Sequence, residues 1–208
     1  MKNTLLGAAS ALFLMTGAGF AAPADQPGHV SPKPGSHTEA MSAVKDTTAG
    51  LVGRASAEMT HSTQGFVTGA AISDMYEVTA GKLAMQRAQS SAVKDFAKEM
   101  VEAHTGTTAK LKSIIASNAI KVTPPAHVDD RRQGMLDDLR GAKAEDFDHR
   151  YISQQVAAHK EADTLMREYA EEGDNKAVKD FAAATDKAVK MHLSMAQKLD
   201  AGTKNASK

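Results

Sequence analysis

Apolar residues recur every three or four positions through most of the chain after Phe66, which is the period of an amphipathic helix. Thr123-Pro124-Pro125 interrupts this period, because proline clashes with a continuing helix. The pattern predicts four long helices and one short helix. The long helices cover residues 66–88, 91–118, 145–171 and 175–199, and the short helix lies near 129–140.

The connections between these helices predict their arrangement. Only a few residues separate the first helix from the second and the third from the fourth, and loops this short force antiparallel neighbours. The hexapeptide Ala92–Ala97 recurs as Ala177–Ala182, just after each short turn, which favours a duplicated hairpin. The sequence therefore predicts an all-α fold, an antiparallel four-helix bundle, with a short extra helix in the long connection between helices two and three.

Ionisable residues interrupt the apolar stripes, one in each long helix. They are Glu77, His104, His159 and His192. Counted from the two copies of the repeat, their depths differ by under one helical turn, so we expect all four to meet in one inner layer. Burying such groups is costly unless each has a partner.

Two interpretations of this layer stay open. One is a hydrogen-bonded structural network, and the other is a single transition-metal ion, because imidazole and carboxylate suit Zn, Fe, Mn or Cu. Met191 and Met195 flank His192 and would favour copper. Asp163 lies one turn after His159 and is a candidate ligand or a group that orients a ligand.

The first part of the chain has the pattern of a secretory signal peptide over residues 1–24. Lys2 precedes an apolar run from Leu5 to Phe20, and small residues follow it. This run is shorter than the ~20 residues that span a bilayer, so we expect cleavage and a periplasmic or secreted protein. The remaining expected boundaries are a disordered linker at 25–62, a helical domain at 63–201 and a disordered tail at 202–208.

Composition excludes several classes of protein. The 25 basic and 25 acidic residues balance, and no long basic run is present, which argues against nucleic-acid binding. The absence of cysteine excludes thiolate metal sites, iron–sulfur clusters and a cysteine nucleophile. No stretch after the signal peptide approaches spanning length, so no transmembrane span is expected in the mature protein.

Several segments resemble a bacterial exported family catalogued as domain of unknown function 4142. The most specific is Val93–His104, and Glu77, Tyr151–His159 and His192–Ala196 match more loosely. The resemblance implies a ferritin-like helical bundle with no established activity and no agreed catalytic residues. Di-iron bundles of this kind carry Glu-x-x-His pairs. Here valine stands three residues before both His104 and His192, so at most one metal ion is expected.

These observations favour an exported, non-catalytic envelope or stress-related module with a buried Glu/His layer and an envelope protein as a partner. Neither a nucleophile constellation nor a phosphate loop is recognisable, so an enzyme is the less favoured class. Two alternatives stay open. One is a mononuclear metal-binding protein with a redox role, and the other is a membrane or partner adaptor that uses a weak amphipathic helix at 39–59. The sequence does not decide the oligomeric state.

Overall fold

The computed structural model describes residues 61–206, and over this range the chain forms five α-helices and no strand. The all-α class is therefore confirmed. The predicted signal peptide and the amphipathic segment 39–59 lie outside the described residues. The helices are α1 (Thr63–Arg87), α2 (Ser91–Ser117), α3 (Asp130–Gly141), α4 (Ala144–Glu172) and α5 (Lys176–Ala206).

Two helix ends differ noticeably from the predicted ones. α1 begins at Thr63 rather than Phe66, because Ser62 caps it by accepting a hydrogen bond from the backbone N–H of Gly65 at 3.2 Å. α5 continues to Ala206, past the predicted end at Leu199 and into the segment expected to be a tail. Apolar periodicity marks the buried part of a helix, so polar terminal turns escape it.

Each of the four long helices packs against two of the other long helices. α1 contacts α2 and α4, while α5 contacts α4 and α2. The short helix α3 packs on α1 and α4. No described helix is long and apolar enough to cross a membrane.

Two apolar clusters fill the interior. The first cluster lies around Tyr76, Met100 and Tyr151. Its residues come from the end of α1, the start of α2, the short helix α3, the first half of α4 and the later part of α5. The second gathers the start of α1, the later parts of α2 and α4 and the first half of α5, around Phe66 and Phe181. On each long helix a buried polar residue lies between the two clusters. These residues are Asp74, His104, His159 and His192.

α1 and α2 approach closely at Gly81. A Cβ atom at this position would lie 2.7 Å from Cγ2 of Val101 and 3.0 Å from the backbone oxygen of Ala97. The first helix therefore contacts the second closely at this glycine. This approach sets the separation between α1 and α2 beside the polar layer.

Candidate metal centre

Three histidines from three helices face one another between the apolar clusters. His104 of α2, His159 of α4 and His192 of α5 are 6 %, 1 % and 5 % exposed. One ring nitrogen of each lies within 4.8 Å of the corresponding nitrogens of the other two. The ring centroids are 5.6 to 6.0 Å apart. Each histidine occupies a position on an apolar stripe, and helix packing therefore turns all three inward.

Asp74 orients the imidazole of His104. Its Oδ1 lies 2.8 Å from Nδ1 of His104, and its Oδ2 accepts a hydrogen bond from the Thr108 hydroxyl at 2.8 Å. An ionised carboxylate can only accept, so in the neutral imidazole Nδ1 carries the proton and Nε2 is left as the free nitrogen. Asp74 was not among the site residues predicted from the sequence. The available signal was its position three residues before Glu77, on the same side of α1.

The two other rings are oriented in related ways. Nδ1 of His159 donates to the backbone carbonyl of Gln155 at 2.9 Å. Nε2 of His192 lies 4.0 Å from Oε1 of Glu99, which is too long for a direct hydrogen bond. In all three rings one nitrogen therefore faces an oxygen outside the group.

The remaining nitrogens have no hydrogen-bond partner among the described residues. They are Nε2 of His104, Nε2 of His159 and Nδ1 of His192, and all three are buried. A buried polar atom without a partner costs free energy. Three such atoms in one group have the arrangement of a metal site, and hydrogen bonds hold two of the three rings, His104 and His159, from behind.

The local environment keeps two of the rings neutral. Burial, together with the neighbouring His104, lowers the pKa of His159 to about 3. Burial, together with His159 and His104, lowers the pKa of His192 to about 4. For His104, burial lowers the pKa, but the hydrogen bond to Asp74 and the charge of Glu77 outweigh it, and the net shift is upward.

Glu77 lies beside the histidine group rather than within it. Its Oε1 is 3.9 Å from Nδ1 of His159, the nitrogen that faces away from the other two rings. Burial raises the pKa of Glu77, although His104, Gln155 and Arg132 act in the opposite direction. Its Oε2 has no partner among the described residues. Of the four residues expected in the inner layer, the structure thus brings the three histidines together, with one nitrogen of each within 4.8 Å of the others.

Asp163 and the two methionines make other contacts. The Asp163 carboxylate lies 3.7 Å from Nζ of Lys190, and its other charged neighbours are Asp186 and Arg167. The role of Asp163 at the metal stays a prediction. Met191 is 52 % exposed, and Met195 packs against the first apolar cluster, so the expected preference for copper loses the support of Met191.

A buried ion-pair network that the sequence analysis missed docks α3 onto α4. Arg131 binds both carboxylate oxygens of Glu161, at 2.9 and 2.6 Å, and Arg132 binds one of them at 2.7 Å. The Arg132 guanidinium also stacks over the Tyr76 ring at 4.8 Å. These residues are far apart in sequence, and no periodicity connects them.

The fold and the histidine group together define an all-helical protein with a buried candidate metal centre. The chain belongs to the family described as Domain of unknown function (DUF4142), whose family model matches residues 50–199. The resemblance seen in the sequence is therefore confirmed. No curated protein matches the chain, and no solved structure matches it either.

Proposed function

We propose that this protein binds one divalent transition-metal ion through His104, His159 and His192. Two observations carry the proposal. One nitrogen of each ring lies within 4.8 Å of the others, and each ring has a buried nitrogen without a hydrogen-bond partner among the described residues. Tetrahedral metal–nitrogen bonds of about 2.0–2.1 Å require nitrogens about 3.4 Å apart. Small ring rotations would close this difference on binding.

The chemistry of the site favours a dication of intermediate softness. Three imidazoles suit Zn²⁺, Cu²⁺ and Fe²⁺ better than Mn²⁺, which prefers oxygen ligands. Asp74 and Glu77 lie immediately around the rings and would balance a double positive charge. A metal ion would also provide partners for the three unpaired nitrogens.

Metal content and affinity test the proposal. We expect the purified protein to hold up to one equivalent of Zn²⁺, Cu²⁺ or Fe²⁺, measured by elemental analysis and by competition with a chromophoric chelator. His104→Gln, His159→Gln and His192→Gln should each weaken binding strongly, while His127→Gln, at an exposed position, should bind as the wild type does. Circular dichroism checks that each variant is folded. Equal metal binding by all four variants would refute this site.

A purely structural layer is the second candidate, and the ring contacts favour it. The three imidazoles pack edge-on or tilted against one another. The hydrogen bond between His104 and Asp74 also links α2 to α1. Such a layer would fix the helix register without any ion. In that case the protein would bind no metal and chelators would not alter its melting temperature, whereas a metal protein would melt lower after chelation.

The arrangement of the helices supports a ferritin-like bundle. The neighbouring long helices form the pairs α1–α2, α4–α5, α1–α4 and α2–α5. In each pair, the start of one helix and the end of the other contribute residues to the same apolar cluster. Two helices whose opposite ends lie in the same cluster run antiparallel. The long connection that contains α3 then joins α2 to α4, and these two helices run parallel. An experimental structure tests this topology.

We also propose that the protein is exported and acts in the cell envelope. The support is the pattern of residues 1–24, with a positive start, an apolar run and small residues after it. Cell fractionation and the mass of the purified protein test this. A chain retained in the cytoplasm at full mass would refute export, and deletion of 39–59 would show whether that segment binds an envelope partner.

A further inference from the structure

We propose that metal ions enter and leave the histidine group through the surface between α2 and α5, and that Glu99 is the first side chain to bind them there. This inference rests on the proposed metal binding and adds a route and a residue to it. The observations that carry it are the exposure of Glu99 and the loose attachment of His192.

The oxygens behind the three rings differ in their access to solvent. The side chain of Asp74 is 6 % exposed, and Gln155 is fully buried. The side chain of Glu99, which faces His192, is 42 % exposed. The His192 side is therefore the side on which an acidic group connects the site to water.

His192 is also the ring that is held least firmly. The outward nitrogens of His104 and His159 are hydrogen-bonded at 2.8 and 2.9 Å. His192 has no direct hydrogen bond at either nitrogen, since Glu99 is 4.0 Å away. Rotation of this ring breaks no hydrogen bond and opens the group toward Glu99.

These features define a two-step path. A solvated dication first binds the Glu99 carboxylate, whose charge raises the local concentration of cations. The His192 ring, rotated toward Glu99, then binds the ion and rotates back toward the other two histidines. There His104 and His159 complete the ligand set. The same side chains would release the ion in reverse order, so Glu99 lowers a barrier that entry and exit share.

Binding kinetics of the full chain with Co²⁺, followed by its visible absorption, test this path. We expect Glu99→Gln to slow association and dissociation by the same factor, about three- to tenfold, and to leave the dissociation constant unchanged. The matched control is Glu102→Gln, which removes the same charge from an exposed position on the same helix. It should change neither rate appreciably, and added salt should reduce the effect at Glu99.

Other results would overturn the path. If Glu99 only orients His192, Glu99→Gln will speed dissociation and weaken affinity while association is unchanged. Identical rates in Glu99→Gln and the wild type would also overturn it, with metal binding itself intact. A wild-type chain that binds neither Co²⁺ nor Zn²⁺ would instead refute the proposed function, and the entry path with it.

Discussion

Nδ1 of His104 donates a hydrogen bond to Oδ1 of Asp74 over 2.8 Å, and this bond joins α2 to α1 inside the protein. It determines which nitrogen of His104 is free to face the other two histidines. The Asp74 carboxylate is in turn oriented by the hydroxyl of Thr108. The geometry of the candidate metal centre therefore depends on a residue that would not itself bind the metal.

Replacing Asp74 should weaken metal binding without removing any ligand. Asp74→Asn keeps the shape of the side chain but loses its charge, and only one of its two terminal atoms can still accept the proton of His104. Loss of such an orienting carboxylate typically lowers metal affinity about 10- to 100-fold. Chelator competition with Zn²⁺ measures the change, and Asp137→Asn, at an exposed position on α3, is the control. An unchanged affinity in Asp74→Asn would contradict the orienting role of Asp74.

Asp174 should make stability depend on acidic pH. Hydrogen bonds from Thr63, together with one from the hydroxyl of Tyr169 at 3.0 Å, hold the pKa of this carboxyl below its ordinary value. A depressed folded-state pKa adds stability above the unfolded-state pKa of about 4, and this stability is lost as the pH falls through the folded-state value.

Urea unfolding of Asp174→Asn at several pH values measures this contribution. The variant should be less stable than the wild type at pH 7, and the difference should shrink below about pH 4. Asp95→Asn, at an exposed position on α2, should show a smaller difference at every pH. A difference for Asp174→Asn that stays constant down to pH 2 would contradict the assigned role.

The buried network around Glu161 should be important for stability. Glu161→Ala leaves Arg132, which is 4 % exposed at its side chain, without its carboxylate partner. Breaking a buried ion pair from one side costs about 3–5 kcal/mol. Asp137→Ala breaks an exposed pair with Arg140 and should cost less than about 1 kcal/mol. Chemical denaturation compares the two, and equal losses would mean that Glu161 does not support the docking of α3.

Two glycine substitutions should have opposite effects. Gly81→Ala would place a methyl group 2.7 Å from Val101, and such overpacking typically costs about 1–3 kcal/mol. Gly134→Ala meets nothing within 4 Å in α3 and should stabilise by up to about 1 kcal/mol through helix propensity. Melting temperatures should therefore move in opposite directions. A Gly81→Ala variant as stable as the wild type would mean that α1 and α2 can separate at no cost.

Much of the site could be predicted because three of its residues interrupt regular apolar stripes. His104, His159 and His192 were visible in the sequence for this reason. Asp74 was not, because a carboxylate next to small residues looks the same whether it faces solvent or a histidine. The distinction between Glu77, which lies behind His159, and Asp74, which binds His104, depends on helix rotation and separation.

The amino-acid sequence by itself determined the helices, their buried faces and the family. These properties are local, since the 3.6-residue period and the prolines act within one segment of chain. Only the tertiary structure decided which polar side chains meet, which nitrogen of each ring is free and which carboxylate reaches solvent. Most of these properties depend on contacts between residues far apart in sequence, such as His104 and Asp74, and the rotation of packed helices sets them. The bond from His159 to the Gln155 carbonyl is the local exception.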